Sequence, residues 1–278
     1  MIEMDTTRKN EKALSRERVL ELLKTETIGR ELRLLDKTGS TSTDLGKAAV
    51  EGAPDGTVIH AEMQQAGRGR QGRRWVSPRG TGLYMSVLFR PDLEPAAAAT
   101  LPLMIGCAVA EAVQPYLGEK RVMLKWPNDL QIDGRKLCGI ICEMKMRDGG
   151  KKVDHIIAGI GVNVNLQLSD LDAETASIAT SLAIAAGKTF EREEIFAAIL
   201  LSIEKSYRLW LKEGFAPFPA RIAGRDALAG KTIYVDRGKG PVVSGVADGV
   251  FPDGSLRLRL PDGTFEPVYS GDAHLVRS

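Results

Sequence analysis

Apolar and polar residues follow one another in short blocks along the chain, and the spacing within each block indicates a strand or a helix. Alternating or continuous apolar positions predict strands at residues 31–36, 57–63, 83–90 and 156–165. Apolar residues at helical spacing predict helices at residues 15–25, 44–51, 97–117 and 192–211. Because these elements occur in mixed order, without regular strand–helix alternation, they predict an α+β fold with a mixed, mainly antiparallel sheet.

Two further strands are predicted on either side of the Asp-Gly pair at 133–134, which favours a tight hairpin turn. Pro127 interrupts the chain before the first of them and leaves the polar residues 128–129 at its start. Lys136 begins the second strand, and Gly139 after it has no side chain to obstruct a ligand. Lys136 is therefore a candidate for binding a carboxylate or a phosphate, and a solvated hairpin lysine is the alternative.

The pattern changes after Gly224, where Asp-Gly pairs separate short alternating segments such as residues 255–260. This pattern is typical of a small β-barrel of roughly 50 residues. We therefore predict an N-terminal helical extension over 1–30, a catalytic domain over 31–224 and a small barrel over 225–278.

The composition is that of a folded protein with a sizeable core: 278 residues, 43% hydrophobic, 27% charged and a formal net charge of +2. The chain has no continuous apolar run of transmembrane length, and its first residues contain no signal-peptide core. These features predict a cytoplasmic protein without a membrane anchor. The three cysteines have no second close-spaced ligand pair beside them, so we expect buried, reduced thiols and no protein-bound metal.

Residues 64–75 concentrate positive charge on a flexible backbone. Four arginines and three glycines fall within this segment: Arg68, Arg70, Arg73, Arg74, Gly67, Gly69 and Gly72. Glycine allows the main chain to approach phosphate oxygens, and guanidinium groups pair with them bidentately. The segment predicts a mobile lid that closes over a small polyanion, with Trp75 docking it or covering an apolar ligand. Mutual repulsion of the arginines would hold it open until an anion binds.

The arginine segment and two further groups of polar residues also fit simpler interpretations. Residues 67–72 satisfy the dinucleotide pattern G-x-G-x-x-G, but Pro78 and the glycines near it prevent the helix that this pattern requires. A solvated turn or a nucleic-acid contact also fits an Arg/Gly run. The hydroxyls at 40–43 fit either a ligand or a helix cap. Asn163 and Asn165 end a buried strand, where a ligand could supply the partners that their amides need.

Four segments together resemble the motifs of the biotin protein ligases, in the form without an N-terminal DNA-binding domain. They are the Arg/Gly signature at 67–75, Lys-Trp-Pro-Asn-Asp at 125–129, Lys-Leu-Cys-Gly-Ile at 136–140 and Gly-Ile-Gly-Val-Asn at 159–163. One departure is Ser42, which stands where the family usually has asparagine. The resemblance implies a class II synthetase-like ligase core followed by an SH3-like barrel.

The resemblance also implies a reaction in two steps. Biotin would attack the α-phosphate of ATP, with Mg²⁺ carried on the nucleotide, to give biotinyl-5′-AMP and pyrophosphate. A lysine of a biotin carboxyl carrier protein, such as that of acetyl-CoA carboxylase, would then take the biotin. Cations are needed because a carboxylate attacking a phosphate brings two anions together. Either a monomer or a homodimer would be compatible with this activity.

The motif positions assign roles to individual residues. The resemblance implies biotin contacts from Ser40, Thr41, Ser42, Gln64, Arg68, Gly69, Arg70, Lys136 and Gly139. It implies ATP contacts from Arg70, Arg73, Trp75, Asn128, Asp129 and Asn163. Within these sets, Lys136, Arg70 and Asp129 are the predicted catalytic residues.

Two alternative functions are compatible with the sequence. A lipoate ligase shares the fold and the adenylating chemistry of biotin ligases, although the motifs at 67–75 and 125–129 favour biotin. A nucleic-acid-binding module could use the arginine segment, but the near-neutral charge and 5% aromatic content weigh against it. About forty residues precede Ser40, too few for a winged-helix domain, so we expect no sequence-specific DNA binding.

Overall fold

A seven-stranded sheet forms the centre of the computed structural model, which describes residues 12–238 and 242–276. Its strands are β1 (Leu32–Thr38), β2 (Val58–Gln64), β3 (Gly82–Phe89), β4 (Met123–Lys125), β5 (Asp129–Ile132), β6 (Arg135–Arg147) and β7 (Lys152–Asn163). They lie in the order β1-β2-β3-β7-β6-β5-β4. The β1–β2 pair is parallel and the other neighbours are antiparallel. The predicted mixed, mainly antiparallel sheet is confirmed.

Helices cover both faces of this sheet. They are α1 (Arg16–Leu22), α2 (Thr41–Val50), α3 (Pro95–Ala98), α4 (Leu101–Val113), α5 (Ala173–Ile178), α6 (Leu182–Ala186), α7 (Arg192–Glu213) and α8 (Phe218–Ala223). Strand side chains alternate between the faces, so Ile59, Leu88 and Ile157 pack with α2 while Val58 and Val87 belong to the larger cluster that contains α4 and α7. The short helices α5, α6 and α8 were not predicted, because five or six residues are too few to show a helical period.

The segment Pro95–Tyr116 is long and apolar enough to cross a membrane by length and composition alone. In the structure it contributes α4, whose residues are almost all buried between the sheet and α7. Gly106 sits where a Cβ would lie 2.9 Å from Leu124 Cδ1, so this helix packs closely on β4. The apolar character of the segment is therefore accounted for by its place in the core.

The predicted hairpin joins β5 to β6. Asp133 and Gly134 have φ angles of 51° and 76°, the left-handed values that a two-residue type I′ turn requires. The turn pairs Asp129 with Gly139, which places the start of β5 beside the first residues of β6. Lys136 is thereby brought next to the polar residues that follow Pro127.

A second, five-stranded antiparallel sheet follows, as predicted from the Asp-Gly pattern. It consists of β8 (Thr232–Asp236), β9 (Val243–Val250), β10 (Leu256–Arg259), β11 (Phe265–Val268) and β12 (Asp272–Leu275), in the order β11-β10-β9-β8-β12. Trp126 Nε1 donates to the carbonyl of Gly254 at 3.1 Å, and Leu124 N donates to Arg225 O at 2.7 Å. The first bond attaches the C-terminal sheet to the 125–129 motif, and the second attaches the segment before that sheet to β4. The domain boundaries at 30 and 224 remain predictions.

A buried ion pair ties the N-terminal segment to the core. Glu62 on β2 pairs with Arg192 at the start of α7 at 2.8 Å, and both side chains are about 95% buried. Glu62 also accepts from Leu14 N at 2.8 Å, while Arg192 donates to Gly82 O at 3.0 Å. Residues 12–14 are thus fixed against the sheet. The first eleven residues of the predicted extension lie outside the described residues.

His60 beside this pair should make folding stability depend on pH. Burial lowers its pKa from 6.5 to about 3, with the Arg192 charge acting in the same direction. Glu62 lies 4.0 Å away but is already paired with Arg192. The unfolded chain therefore binds a proton that the folded chain does not, so stability is full above pH 6.5 and falls as the pH drops toward 3. From pH 7 to 5 we expect a loss of about 2 kcal/mol from this group.

The comparison that checks this expectation is urea unfolding of the wild type and His60→Leu at both pH values. Carboxylates contribute to the pH dependence of both proteins. The difference in stability loss between the two proteins therefore gives the contribution of the His60 imidazole. The leucine variant should lose less stability on acidification. Equal losses in the two proteins would contradict the role of His60.

Candidate active site

A cavity of about 550 Å³ lies against strands β6 and β7 of the central sheet and extends to the start of β12. The sequence-predicted residues that line it are Ser40, Thr41, Ser42, Gln64, Arg68, Gly69, Arg70, Arg73, Trp75, Asn128, Asp129, Lys136, Gly139 and Asn163. The fold thus brings all of these residues, drawn from separate segments of the chain, to one cavity. Their roles in binding and catalysis remain predictions.

One end of the cavity is formed by buried hydroxyl and amide groups. Thr41 N and Oγ1 lie 3.0 and 3.1 Å from Gln64 Oε1. Ser86 Oγ lies 2.8 Å from Thr41 Oγ1 and 3.0 Å from Ser42 Oγ, so it fixes both hydroxyls from behind. Ser40 occupies the N-cap position of α2, but its side chain makes no capping hydrogen bond. The helix-capping alternative is therefore wrong for this hydroxyl.

Ser86 was missed by the sequence analysis. It lies in the middle of β3 and is completely buried in an otherwise apolar strand. A lone hydroxyl in such a strand is a signal, because a buried polar group needs a hydrogen-bonding partner. The sequence alone does not say that the partners are Thr41 and Ser42.

Three glycines form a track from this hydroxyl cluster toward Lys136. Gly159 lies beside Ser42, and Gly161 and Gly139 pair with each other across β7 and β6. A Cβ on Gly159 would lie 2.8 Å from Ser42 Oγ, and one on Gly161 would lie 2.4 Å from the Trp75 ring. Any larger residue would fill this track.

Trp75 closes over the glycine track. Its ring lies on Gly139 and Gly161, and its indole Nε1 is buried without a hydrogen-bond partner among the described residues. Lys136 Nζ lies 5.5 Å from the centre of the ring. Trp75 therefore stands between the neutral, polar end of the cavity and the charged end.

The charged end is built around the β5–β6 hairpin. Lys136 Nζ lies 2.7 Å from Asp129 Oδ1, which holds the ammonium group at the mouth of the glycine track. Asn128 is fixed by donating to Ile140 O at 2.8 Å, and its Oδ1 accepts from Arg70 Nη1 at 3.1 Å. A lysine and an arginine thus converge where an anion would lie at the end of the track.

The arginine segment is folded back on itself. Arg68 and Arg74 form a β-bridge, and Trp75 N donates to Gly67 O at 2.9 Å. Arg68 pairs with Glu143 at 2.9 Å, and Arg70 and Arg73 both pair with Asp272. Glu143 and Asp272 thus offset part of the positive charge of the segment, and the expectation that the arginines repel one another until an anion binds stays a prediction. Mobility of the segment stays a prediction.

The two asparagines at the end of β7 differ in their surroundings. Asn165 exchanges two hydrogen bonds of 2.9 Å with the backbone of Phe190, so its partners come from the chain itself. The expectation that a ligand completes this amide is wrong. Asn163 donates to Thr180 O at 2.9 Å and also lines the cavity.

Three further features of the cavity were not singled out from the sequence. Lys125 lines it and is half-buried, and burial lowers its pKa while the Asp129 carboxylate opposes that shift. Helix α5 forms one wall. Asp272 enters from the C-terminal sheet, about 200 residues away along the chain from the arginines that it contacts.

In the part of the chain that the structure describes, neither the cysteines nor a cluster of acidic residues forms a metal site. Within residues 12–238 and 242–276, no three His, Cys, Asp or Glu side chains come together in a way that could hold a metal ion. Cys107, Cys138 and Cys142 are free thiols, and burial raises the pKa of Cys107 and Cys142 to about 12. Thiols with such pKa values are poor nucleophiles.

Comparison with known proteins agrees with the geometry. Residues 34–163 match the model of the biotin/lipoate A/B protein ligase family. The bifunctional ligase/repressor BirA of Bacillus subtilis is 37% identical over 253 residues, which cover 91% of this chain and 76% of that protein. The chain belongs to the biotin/lipoate A/B protein ligase family. The matched range contains the hydroxyl cluster, the arginine segment, the glycine track and the β5–β6 hairpin.

Two further relatives match this chain over nearly their whole length. The biotin–[acetyl-CoA-carboxylase] ligase of Mycobacterium tuberculosis is 32% identical over 252 residues, or 89% of this chain and 90% of that protein. The biotin protein ligase of Aquifex aeolicus, solved in complex with biotin and ATP, has a TM-score of 0.75 and 28% identity. That match covers 90% of this chain and 100% of the solved chain. The ligase core and the C-terminal sheet thus recur together in this family.

Proposed function

We propose that the protein is a biotin protein ligase, which activates biotin with ATP and transfers it to a lysine of a carrier protein. The observation that carries this proposal is the shape of the cavity. A cluster of buried hydroxyl and amide groups is joined by a narrow glycine track to a converging lysine and arginine. Biotin has the same order of parts: a ureido ring, an aliphatic chain and a carboxylate.

The first step joins two anions, which accounts for the cations at the end of the track. A biotin carboxylate oxygen forms a bond to the α-phosphorus of ATP while the bond from that phosphorus to the bridging oxygen breaks, and pyrophosphate leaves with its Mg²⁺. Lys136 and Arg70 neutralise the charge that concentrates on the carboxylate and the α-phosphate. Asp129 holds Lys136 in place through the 2.7 Å contact. The product is biotinyl-5′-AMP.

The second step needs no covalent enzyme intermediate. The amine of a carrier lysine attacks the biotinyl carbonyl carbon, loses a proton and forms an amide, and AMP leaves with the bridging oxygen. Shielding from water matters between the steps, because the mixed anhydride hydrolyses. Trp75 and the folded arginine segment cover the track and supply that shielding.

The residues divide between the two substrates in this proposal. The biotin side consists of Ser40, Thr41, Ser42, Gln64, Arg68, Gly69, Arg70, Lys136 and Gly139. The nucleotide side consists of Arg70, Arg73, Trp75, Asn128, Asp129 and Asn163. Ser42 is shorter than the usual asparagine, and its contact with Ser86 supports a role in fixing the cluster rather than in reaching far into the pocket.

Lipoate is the competing substrate, and the hydroxyl cluster argues against it. The dithiolane ring of lipoate offers no strong hydrogen-bond donor or acceptor. Binding it would cover the amide of Gln64 and the hydroxyls of Thr41 and Ser42 without offering them a partner beyond the hydrogen bonds within the cluster. A ureido group supplies two N–H donors and a carbonyl acceptor to the same atoms. A nucleic-acid module is likewise disfavoured, since Arg68, Arg70 and Arg73 are paired with carboxylates of the chain.

The carrier, the compartment and the assembly belong to the same proposal. Two relatives are named biotin–[acetyl-CoA-carboxylase] ligases, which supports the biotin carboxyl carrier protein of acetyl-CoA carboxylase as the acceptor. We propose a cytoplasmic enzyme that acts without a membrane and without specific DNA binding, as a monomer or a homodimer.

The test of the function is pyrophosphate release from ATP in the presence of biotin, of lipoate or of neither. We expect release that depends on biotin, a biotinyl-5′-AMP product, and label transfer to a purified biotin carboxyl carrier domain. Calorimetric titration with biotin, in the absence and in the presence of ATP, would measure the affinity for biotin and how ATP changes it. Release driven by lipoate, or by neither acid, would reject the proposal.

Gly161→Ala should weaken biotin binding by forcing the track to change shape. The added Cβ would lie 2.4 Å from Trp75 Cε2 and 2.6 Å from Nε1, so the ring must move. One added methyl group in a substrate pocket changes binding by roughly 1–3 kcal/mol, which corresponds to about a 5- to 150-fold loss of biotin affinity by calorimetry. Gly224→Ala is the matched control, because a Cβ there meets its nearest neighbour at 3.8 Å. An affinity equal to that of the wild type would show that the track does not hold the substrate.

A further inference from the structure

The carboxylate of Asp272, in the C-terminal sheet, contacts two arginines of the central domain. Asp272 Oδ1 lies 3.3 Å from Arg70 Nη1, and Oδ2 pairs with Arg73 Nη2. The side chain of Asp272 is only 15% exposed, compared with 23% for Arg70. The Asp272–Arg70 contact is therefore shielded from solvent more than an ordinary surface ion pair and keeps more of its electrostatic strength, whereas the side chain of Arg73 is 59% exposed and its contact is weaker.

The backbone before Asp272 strengthens the same contact. Gly271 O accepts from Arg70 Nη1 and Nη2, both at 3.3 Å. Gly271 has a φ of 134°, and a Cβ there would lie 2.5 Å from Val235 Cγ1 and 2.7 Å from Asp236 O. Pairing of Asp272 with Asp236 across β12 and β8 fixes the position of the carboxylate. The acceptors are thus presented by a rigid strand and not by a free loop end.

On its other side Arg70 reaches the β5–β6 hairpin. Its Nη1 donates to Asn128 Oδ1 at 3.1 Å, and Asn128 is held in turn by Ile140. The guanidinium of Arg70 therefore bridges the cavity between the hairpin and the C-terminal sheet. In the part of the chain that the structure describes, no acceptor engages Arg70 Nε, so that edge is available to a ligand.

We infer that Asp272 is a positioning residue for the first chemical step, an inference that rests on the proposed function. It holds Arg70 and Arg73 in the orientation from which they meet the carboxylate and the α-phosphate. Because the arginines are ordered before the substrates arrive, less orientational freedom is lost when the transition state forms. The C-terminal sheet thereby contributes to adenylate formation itself.

An opposite role for Asp272 makes a different prediction. A carboxylate that merely occupied the phosphate position would compete with ATP, and its removal would tighten ATP binding. The contacts favour positioning, since Asp272 and Gly271 engage the terminal nitrogens of Arg70 and leave Nε available. The two roles differ in sign, so one kinetic experiment separates them.

The experiment measures single-turnover pyrophosphate release for the full-length wild type, Asp272→Asn and Asp272→Glu over a range of ATP concentrations. Asp272→Asn keeps the shape but removes the charge. We expect its rate of adenylate formation at saturating biotin to fall by roughly 10- to 100-fold, and Asp272→Glu to recover part of the loss. Asp248→Asn is the control, because it breaks an exposed ion pair with Arg257 at 2.9 Å in the same sheet.

A double-mutant cycle shows whether Asp272 acts through the arginine. Adding Asp272→Asn to Arg70→Gln should cost little beyond the loss caused by Arg70→Gln alone, since the partner is already absent. Thermal unfolding of each variant checks that the fold is intact, and Asp272→Glu serves as the test variant if Asp272→Asn is unfolded. In that case adenylate formation should fall less than about tenfold with Glu, and the loss should again vanish in Arg70→Gln.

Three results would overturn the inference: an unchanged rate in a folded charge-removing variant, tighter ATP binding, or additive losses in the cycle. Failure of the proposed function would give a different result in the same assay. A wild type that releases no pyrophosphate in response to biotin would overturn both, whereas an active wild type with an equally active Asp272→Asn overturns the positioning role alone.

Discussion

Lys136→Ala is expected to form biotinyl-5′-AMP roughly 10²–10³-fold more slowly than the wild type. The ammonium of Lys136 lies at the mouth of the glycine track, where Asp129 and the Trp75 ring hold it from two sides. Removing it leaves the biotin carboxylate and the α-phosphate without a compact cation between them. Transfer from preformed adenylate should fall less, because the phosphorus–oxygen bond to the carboxylate already exists.

Single-turnover pyrophosphate release with saturating biotin and ATP measures the first step, and transfer of purified biotinyl-5′-AMP measures the second. Lys136→Arg should not restore full activity, since a planar guanidinium cannot occupy the compact position beside Gly139, where a Cβ would already lie 3.2 Å from Lys136 Cε. Lys145→Ala, in the exposed part of the same strand, is the matched control. A wild-type rate for Lys136→Ala would remove this residue from the site.

Arg70→Gly is expected to release biotinyl-5′-AMP into solution, so that lysines of bystander proteins become biotinylated. The guanidinium of Arg70 spans the cavity from Asn128 to Gly271 and Asp272. Its loss removes a bond between the two sides of the cavity and a cation facing the phosphate. It also places a second glycine directly after Gly69, which frees the segment that covers the intermediate.

The measurement is biotin incorporation into an added unrelated protein, together with the amount of free adenylate in the filtrate. Adding Asp272→Asn to the wild type should give weaker labelling of the same kind, since that change loosens Arg70 without removing it. Arg79→Gly, which breaks an ion pair with Asp36 outside the cavity, should label only the carrier. An inactive Arg70→Gly protein, with neither free adenylate nor stray labelling, would contradict the role of Arg70 in retaining the adenylate.

The strands, the main helices and the hairpin followed from the sequence because each depends on residues close together in the chain. Helical spacing over 192–211 and the Asp-Gly pair at 133–134 are local signals, and the structure places α7 and a type I′ turn there. The motif residues could also be identified, because four segments of the chain resemble the motifs of biotin protein ligases. The structure places them around one cavity, while their roles remain predictions.

Only the tertiary structure shows which residues support the motif residues and which carboxylates pair with them. Ser86 supports the hydroxyl cluster from 44 and 45 positions away, and Asp272 holds Arg70 from 202 positions away. Neither follows from periodicity, because which strands become neighbours depends on how apolar faces pack across the whole chain. The sequence by itself therefore determined the elements and the chemistry available to this protein. Long-range packing determined which carboxylate compensates which arginine, because electrostatic pairing depends on distance in space and not along the chain.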